Sequence, residues 1–341
     1  MYDGGQTGGD EGGGAGGDGQ AGHGTSGMWS PSEAPSAAPG CGAEDEILVS
    51  LAYRVRVSHD PLPVDPVALA RAADAGDGAA AHRLAVLTAM GLGTPQDWGR
   101  ALALLQQAAG LGFPSAQAQV ALLAAGAADQ RIDLAAWLNA PAPRMLSEGP
   151  AILTIEGFLP HAACDWLRMR AETMTAPALV YDPETGEGRR EAVRTNNAAR
   201  FELDGMDVVL ALARERIART AGLPVPGLEW TQVLHYAVGQ TFDWHFDWLD
   251  PGNPAYAADL AGRGQRIATC LVFLNDDFEG GETAFEAGGL RRRGRKGDAL
   301  LWANTLPDGA VDPRTRHAGL PPTAGEKWVL SQWLRGRAPR V

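Results

Sequence analysis

Cysteine is scarce. The chain of 341 residues has three, Cys41, Cys164 and Cys270, far apart and in neither a C-x-x-C pair nor a dense framework. That argues against a disulfide scaffold and for a reducing compartment. Also missing are a run of about 18 apolar residues, the signature of a membrane span, and an N-terminal basic segment followed by an apolar stretch. The expectation is a soluble, cytoplasmic protein with no membrane partner. Basic residues are outnumbered, 29 against 41 acidic, for a formal charge of −12. A surface of that sign repels phosphate backbones, so nucleic acid is not an expected partner. The one basic run, Arg291, Arg292, Arg293, Arg295 and Lys296, reads as a solvated turn between strands.

Large apolar side chains are almost absent from residues 1–44, where Gly, Ser, Pro and Asp dominate. Too little burial is on offer there to offset chain entropy, and a disordered tail is expected. Residues 45–138 are different, rich in Ala and Leu at helical spacing, and they repeat. Ala72-Ala73-Asp74-Ala75-Gly76 recurs at an offset of 36 as Ala108-Ala109-Gly110-Leu111-Gly112, and Ala80, Leu84 and Ala85 recur as Ala116, Val120 and Ala121. Small residues in register predict two helical hairpins. Two units are fewer than the three or so of a free-standing solenoid, so these hairpins are expected either to dock on the rest of the chain or to bind a protein partner. The Pro-rich stretch 139–150 reads as a linker, and 151–341 as a second domain. Within it, 151–155 reads as a strand, 160–174 and 206–221 as helices. Beyond Trp230, short strands between Gly, Pro and Asp turns predict an antiparallel barrel or jelly roll. The expected fold class is therefore α+β, a double-stranded β-helix behind a small all-α unit.

Within Phe242-Asp243-Trp244-His245-Phe246-Asp247, His245 and Asp247 are two apart, and on a strand such residues share a face. An H-x-D triplet alone is weak. His317 follows about 70 residues later on what should be a returning strand of the same barrel. Two imidazoles and one carboxylate form the facial set that leaves three positions open on ferrous iron, enough for an α-keto acid to take two and dioxygen the third. A co-substrate with a second carboxylate needs a cation remote from the metal. Lys327 is ten residues after His317, and an inward ammonium there would be costly without an anion. His235 should face away from Tyr236 and the pocket, and Cys270 should be core.

Over about 151–336 the sequence resembles the prolyl 4-hydroxylase family of 2-oxoglutarate oxygenases. The resemblance is carried in order by Val233-Leu234-His235-Tyr236, Gly239-Gln240, His245 and Asp247. It continues through Arg266-Ile267-Ala268-Thr269, Phe273-Leu274-Asn275, Gly280-Gly281-Glu282-Thr283, Gly297-Asp298-Ala299-Leu300, His317 and Gly325-Glu326-Lys327-Trp328. It implies Fe(II), 2-oxoglutarate and O2, with ascorbate as a candidate reductant, and hydroxylation of peptidyl proline with decarboxylation of 2-oxoglutarate to succinate. It also implies that Tyr236, Thr269 and Lys327 hold 2-oxoglutarate and that Phe242, Arg266 and Trp333 form the substrate slot. Relatives commonly carry a tyrosine where this chain has Phe273, which removes one donor to the distal carboxylate. Residues 182–199 match the segment that closes over substrate in the family. The segment Leu84 to Ala109 likewise resembles the Sel-one-like repeats, relatives of the tetratricopeptide repeats. Two other readings compete: the same chemistry on another residue or a small molecule, and a repeat-based scaffold with a structural oxygenase domain.

Overall fold

The computed structural model describes residues 65–125, 131–181, 188–189 and 193–337. The tail 1–44 with Cys41, residues 45–64 of the expected helical domain and half of the expected closing segment 182–199 lie outside these residues.

Four helices open the described chain: α1 (Pro66–Asp74), α2 (Gly78–Met90), α3 (Trp98–Gly110) and α4 (Pro114–Leu123). The side chains of Asp65, Asp77 and Asp97 accept backbone N–H groups at the starts of α1, α2 and α3, which satisfies donors the helix itself leaves over. Repetition extends to the turns. Gly76 and Gly112 both have positive φ, and the carbonyls of Ala72 and Ala108 accept the equivalent N–H groups of Asp77 and Phe113, each at 3.0 Å. It fails at the outer edge, where Ala85 is fully buried but Ala121 is exposed. Helix α2 is covered on two sides, and α4 ends the stack.

A short helix, α5 (Leu134–Leu138), leads into the sheets. The main sheet has eight strands: β1 (Arg144–Glu148), β2 (Ala151–Ile155), β3 (Ala176–Pro177), β4 (Asn197–Phe201), β5 (Thr231–Tyr236), β7 (Arg266–Phe273), β10 (Ala299–Ala303) and β12 (Lys327–Arg335), in the order β1-β2-β10-β7-β12-β5-β4-β3. A smaller sheet holds β6 (Phe242–His245), β8 (Thr283–Phe285), β9 (Arg291–Arg292) and β11 (His317–Gly319), in the order β9-β8-β11-β6. All the pairings are antiparallel. The stretch read as a linker contains β1, whose residues are all exposed or half-buried. An edge strand without alternating burial gives no periodic signal. A small apolar core of Ile152, Leu271, Phe273, Phe285, Leu300, Trp302 and Val329 draws on both sheets.

Helix α6 spans His161–Glu172 and α7 spans Val208–Thr220. Every residue of α7 from Val208 to Ala218 is buried, as expected of a helix covered on both sides. The helical hairpins supply part of the cover. Gln119 Oε1 of α4 accepts the Val208 N–H, one of the unsatisfied donors at the start of α7. Gln96 Nε2 donates to Glu215, and Arg83 reaches the Leu203 carbonyl and Asp204. From α7 itself, Arg216 donates to the carbonyls of Phe158, Ala136 and Asn139. No helix among the described residues is long and apolar enough to cross a membrane.

Arg216 satisfies three carbonyls at once, and breaking a buried charged hydrogen-bond set costs roughly 3–5 kcal/mol. Arg216→Met should therefore lower the urea midpoint by an amount in that range once multiplied by the denaturant slope.

Candidate metal centre and co-substrate cavity

The register of the smaller sheet places His317 directly opposite His245. Their ring centroids are 4.3 Å apart. Asp247 leaves β6 two residues after His245, and its carboxylate is 3.6 Å from His245 Nε2 and 3.5 Å from His317 Nε2. One atom from each of the three falls within 4.8 Å of the others, a spacing that one ion can bridge.

Both imidazoles are oriented by the backbone. His245 Nδ1 is 2.6 Å from the Asp243 carbonyl and His317 Nδ1 is 2.9 Å from the Thr315 carbonyl. A carbonyl can only accept, so each Nδ1 carries the proton and each Nε2 lone pair is left for the centre. Burial, with the nearby His245, lowers the His317 pKa to about 4, so the ring is neutral and able to ligate at neutral pH. Burial works to raise Asp247. The adjacent His317, with hydrogen bonds from His245 and Thr269, outweighs it and holds Asp247 well below the usual carboxylate range.

From this triad a cavity runs toward Lys327, between the two sheets. Lys327 opens β12 opposite Tyr236 on β5. It is 2% exposed, and among the described residues its Nζ makes no hydrogen bond or ion pair. Instead Nζ stands 5.1 Å from the centre of the Tyr236 ring and 6.0 Å from that of Phe273. Burial lowers its pKa to about 7, with Glu282 opposing the shift. Thr283 lines the same cavity, and its buried hydroxyl has no partner among the described residues. A buried ammonium without a hydrogen bond and a buried hydroxyl without a partner, lining one cavity, can together receive a carboxylate. Tyr236 also lines it, and burial raises its phenol to about 12, which keeps the proton available for donation.

The residues read from the sequence divide at this point. His245, Asp247, His317, Tyr236, Lys327, Phe242 and Trp333 all line the cavity. Thr269 does not. Its Oγ1 donates to Asp247 Oδ2 at 2.7 Å, so the hydroxyl expected on 2-oxoglutarate is spent on the carboxylate. Arg266, expected to take a substrate carbonyl, forms a two-point pair with Glu229, donates to the Asp247 carbonyl at 3.3 Å and lies 3.5 Å over Trp333. The arginine in the cavity wall is Arg194, 4.5 Å over the Phe242 ring. Arg194 and Thr283 went unassigned in the sequence. Thr283 ends the Gly280-Gly281-Glu282-Thr283 turn, a signal that could have found it, whereas Arg194 has no local pattern. His235 faces away, stacked 4.3 Å from Trp328. The basic run is largely tied down by its own chain, with Arg293 on the Phe278 carbonyl and Lys296 on Asp165.

A family model described as the 2OG-Fe(II) oxygenase superfamily matches residues 231–335, the stretch that carries both sheets' cavity residues from Tyr236 to Trp333. The class is thus a 2-oxoglutarate-dependent dioxygenase that uses Fe(II), 2-oxoglutarate and O2, and the His-Asp-His donor set fits that iron. More narrowly, the chain belongs to the prolyl 4-hydroxylase family. It is 34% identical over 210 residues to prolyl 4-hydroxylase 5 of Arabidopsis thaliana, covering 56% of this chain and 70% of that protein. It is 34% identical over 189 residues to prolyl 4-hydroxylase subunit alpha-1 of Rattus norvegicus, covering 55% of this chain and 35% of that subunit. Among solved structures, the viral collagen prolyl hydroxylase of Paramecium Bursaria Chlorella virus-1 in complex with 2OG is similar at 25% identity, with a TM-score of 0.44 over 56% of this chain and 98% of that one.

Because the folded Lys327 has a lowered pKa, its charged form prevails below about pH 7 and is lost above it. Isothermal titration of 2-oxoglutarate should show affinity falling as pH rises from 6.5 to 9. Lys327→Met should bind weakly at every pH, and Thr283→Val should lose about tenfold at pH 6.5, as one charge-assisted hydrogen bond is worth roughly 1.5 kcal/mol or more.

Proposed function

We propose that this protein hydroxylates proline in a polypeptide, with His245, Asp247 and His317 holding Fe(II), and Lys327, Thr283 and Tyr236 holding 2-oxoglutarate. The observation that carries the reading is that one cavity contains both a three-donor His-Asp-His centre and a buried ammonium that makes no hydrogen bond or ion pair among the described residues. Iron with its two co-substrates supplies the oxidative decarboxylation to succinate and the oxygen atom given to the substrate. The protein's part is positional. Backbone carbonyls fix the imidazole tautomers, Lys327 neutralises the distal carboxylate, and apolar walls exclude water.

Phe242 and Trp333 stand in the cavity wall with Arg194. Flat rings accept a pyrrolidine, and a guanidinium can take a backbone carbonyl, which favours a prolyl peptide over a free small molecule. Arg194 takes the role first expected of Arg266. Names of the relatives point the same way, since the Arabidopsis and rat proteins are called prolyl 4-hydroxylases. The scaffold reading is disfavoured by this donor set and the free Lys327, for which a purely structural domain has no use.

The helical part carries a separate proposal. Its 36-residue repeat resembles the Sel-one-like repeats, and its hydrogen bonds to α7 and the preceding loop support a cap on the catalytic part over a recruiting surface. We assign 45–138 to this cap and 151–341 to the catalytic unit, with β1 of the intervening 139–150 stretch paired to β2. Both described cysteines are free and buried, in keeping with a reducing compartment such as the cytoplasm.

Incubation with Fe(II), 2-oxoglutarate, O2 and a library of Pro-containing peptides should give a product heavier by one oxygen, located on proline by fragmentation. Product on another residue, with none on any proline, would end the prolyl assignment while leaving the dioxygenase intact.

A further inference from the structure

We propose that Asn304 and Thr269 are positioning residues of the metal centre, with Asn304 the node of one hydrogen-bond path that orients both Asp247 and His317. The inference rests on the reading of His245, Asp247 and His317 as that centre.

The directions of the first links follow from chemistry. Asp247 is an ionised carboxylate and can only accept, so the single proton of Thr269 Oγ1 must point at Asp247 Oδ2, 2.7 Å away. Thr269 then has only lone pairs left for its other neighbour. The Asn304 atom 2.9 Å from it must therefore be the amide nitrogen, which donates. All three side chains are almost fully buried, Asp247 at 4%, Thr269 at 1% and Asn304 at 0% exposed, so water cannot replace either link.

A second branch starts from the Asn304 backbone. Its N–H donates to the Ile267 carbonyl on β7, and its carbonyl accepts from Asp312 N–H at 3.0 Å. The Asp312 carbonyl in turn accepts the Thr315 hydroxyl at 2.7 Å, and the Thr315 carbonyl accepts from His317 Nδ1 at 2.9 Å. Two of the three candidate ligands, Asp247 and His317, are thus tied to one residue.

The cost of keeping Asn304 argues that its amide nitrogen matters. Its Oδ1 is buried without a partner, and an orphaned acceptor of that kind penalises a fold by roughly 1–3 kcal/mol. An apolar residue of the same size would avoid the penalty but could not donate to Thr269. The chemical return is control of Asp247. With Oδ2 tied to Thr269, the carboxylate cannot swing freely to offer both oxygens to a metal, and a one-oxygen ligand is what keeps three positions open for a chelating keto acid and dioxygen.

The test uses Mn(II), which reports ligation without turnover, titrated into the full-length protein by EPR, with urea midpoints measured in parallel. Thr269→Val removes the hydroxyl at constant shape, Thr269→Ser restores it, and Asn304→Asp replaces the donor with an acceptor that competes for the Thr269 proton. Mn(II) affinity should fall about 10- to 100-fold in Thr269→Val and Asn304→Asp and stay within about threefold of wild type in Thr269→Ser. A purely structural role would shift the urea midpoints and leave the Mn(II) affinity of the folded protein alone. Wild-type binding that His245→Ala abolishes but Thr269→Val and Asn304→Asp leave unchanged overturns the positioning role only. If Thr269→Val fails to fold, unchanged affinity in Asn304→Asp is enough to overturn it. Binding indifferent to His245→Ala overturns the metal centre and this inference with it.

Discussion

The antiparallel pairing of β11 with β6, which sets His317 against His245, is the contact on which the rest of the site depends. Side chains alternate along a strand, so a slip of one residue would turn either imidazole out of the cavity. Several packing interactions hold that register. Phe285 of β8 is paired with His317 on its other side, and Trp302 of β10 meets the His317 ring edge-on with centroids 4.8 Å apart. The small core that joins the sheets thus also clamps His317. Opposite, the pairing of Lys327 with Tyr236 sets the far end of the cavity on the main sheet. Separation of the two sheets then fixes the distance between the His-Asp-His cluster and Lys327.

The same economy governs the back of the molecule. Helix α7 brings Arg214, Glu215 and Arg216 into the interior together with its apolar residues. Each needs a partner there. Arg214 finds the carbonyls of Leu228 and Glu229 with Thr231 and Gln332 on the sheet side, and Glu215 finds Gln96 in the helical layer. Burying charged residues on a helix is tolerated only where both layers supply hydrogen bonds. The helical hairpins are therefore part of what allows α7, and through it the main sheet, to keep its place.

Much of this was legible in the sequence, for identifiable reasons. His245 and Asp247 declared themselves by a spacing of two, His317 by its place on a returning strand, and Lys327 by an inward position that no apolar cavity would accept without an anion. The helices 161–172 and 208–220 and the strand 151–155 were read within about two residues because periodicity and Pro or Asp starts marked them. Side-chain commitments were not legible. Thr269 and Arg266 lie on the expected strand, but Asp247 and Glu229, which claim them, are 22 and 37 residues away. Arg194 joins the cavity only because 193–195 pairs across to Phe242 and its neighbours. Such choices are made by tertiary contact, which local spacing does not encode.

The account stands on the claim that the triad and Lys327 grip one co-substrate from its two ends. An anaerobic titration of the metal-free protein with Fe(II) and 2-oxoglutarate, followed in the visible range for the weak charge-transfer band of an iron–keto-acid chelate, tests it most directly. The account predicts a band in the wild type, none in His245→Ala, and a band displaced to higher 2-oxoglutarate concentration in Lys327→Ala. A folded wild type without the band, or a Lys327→Ala protein that titrates like the wild type, would contradict it.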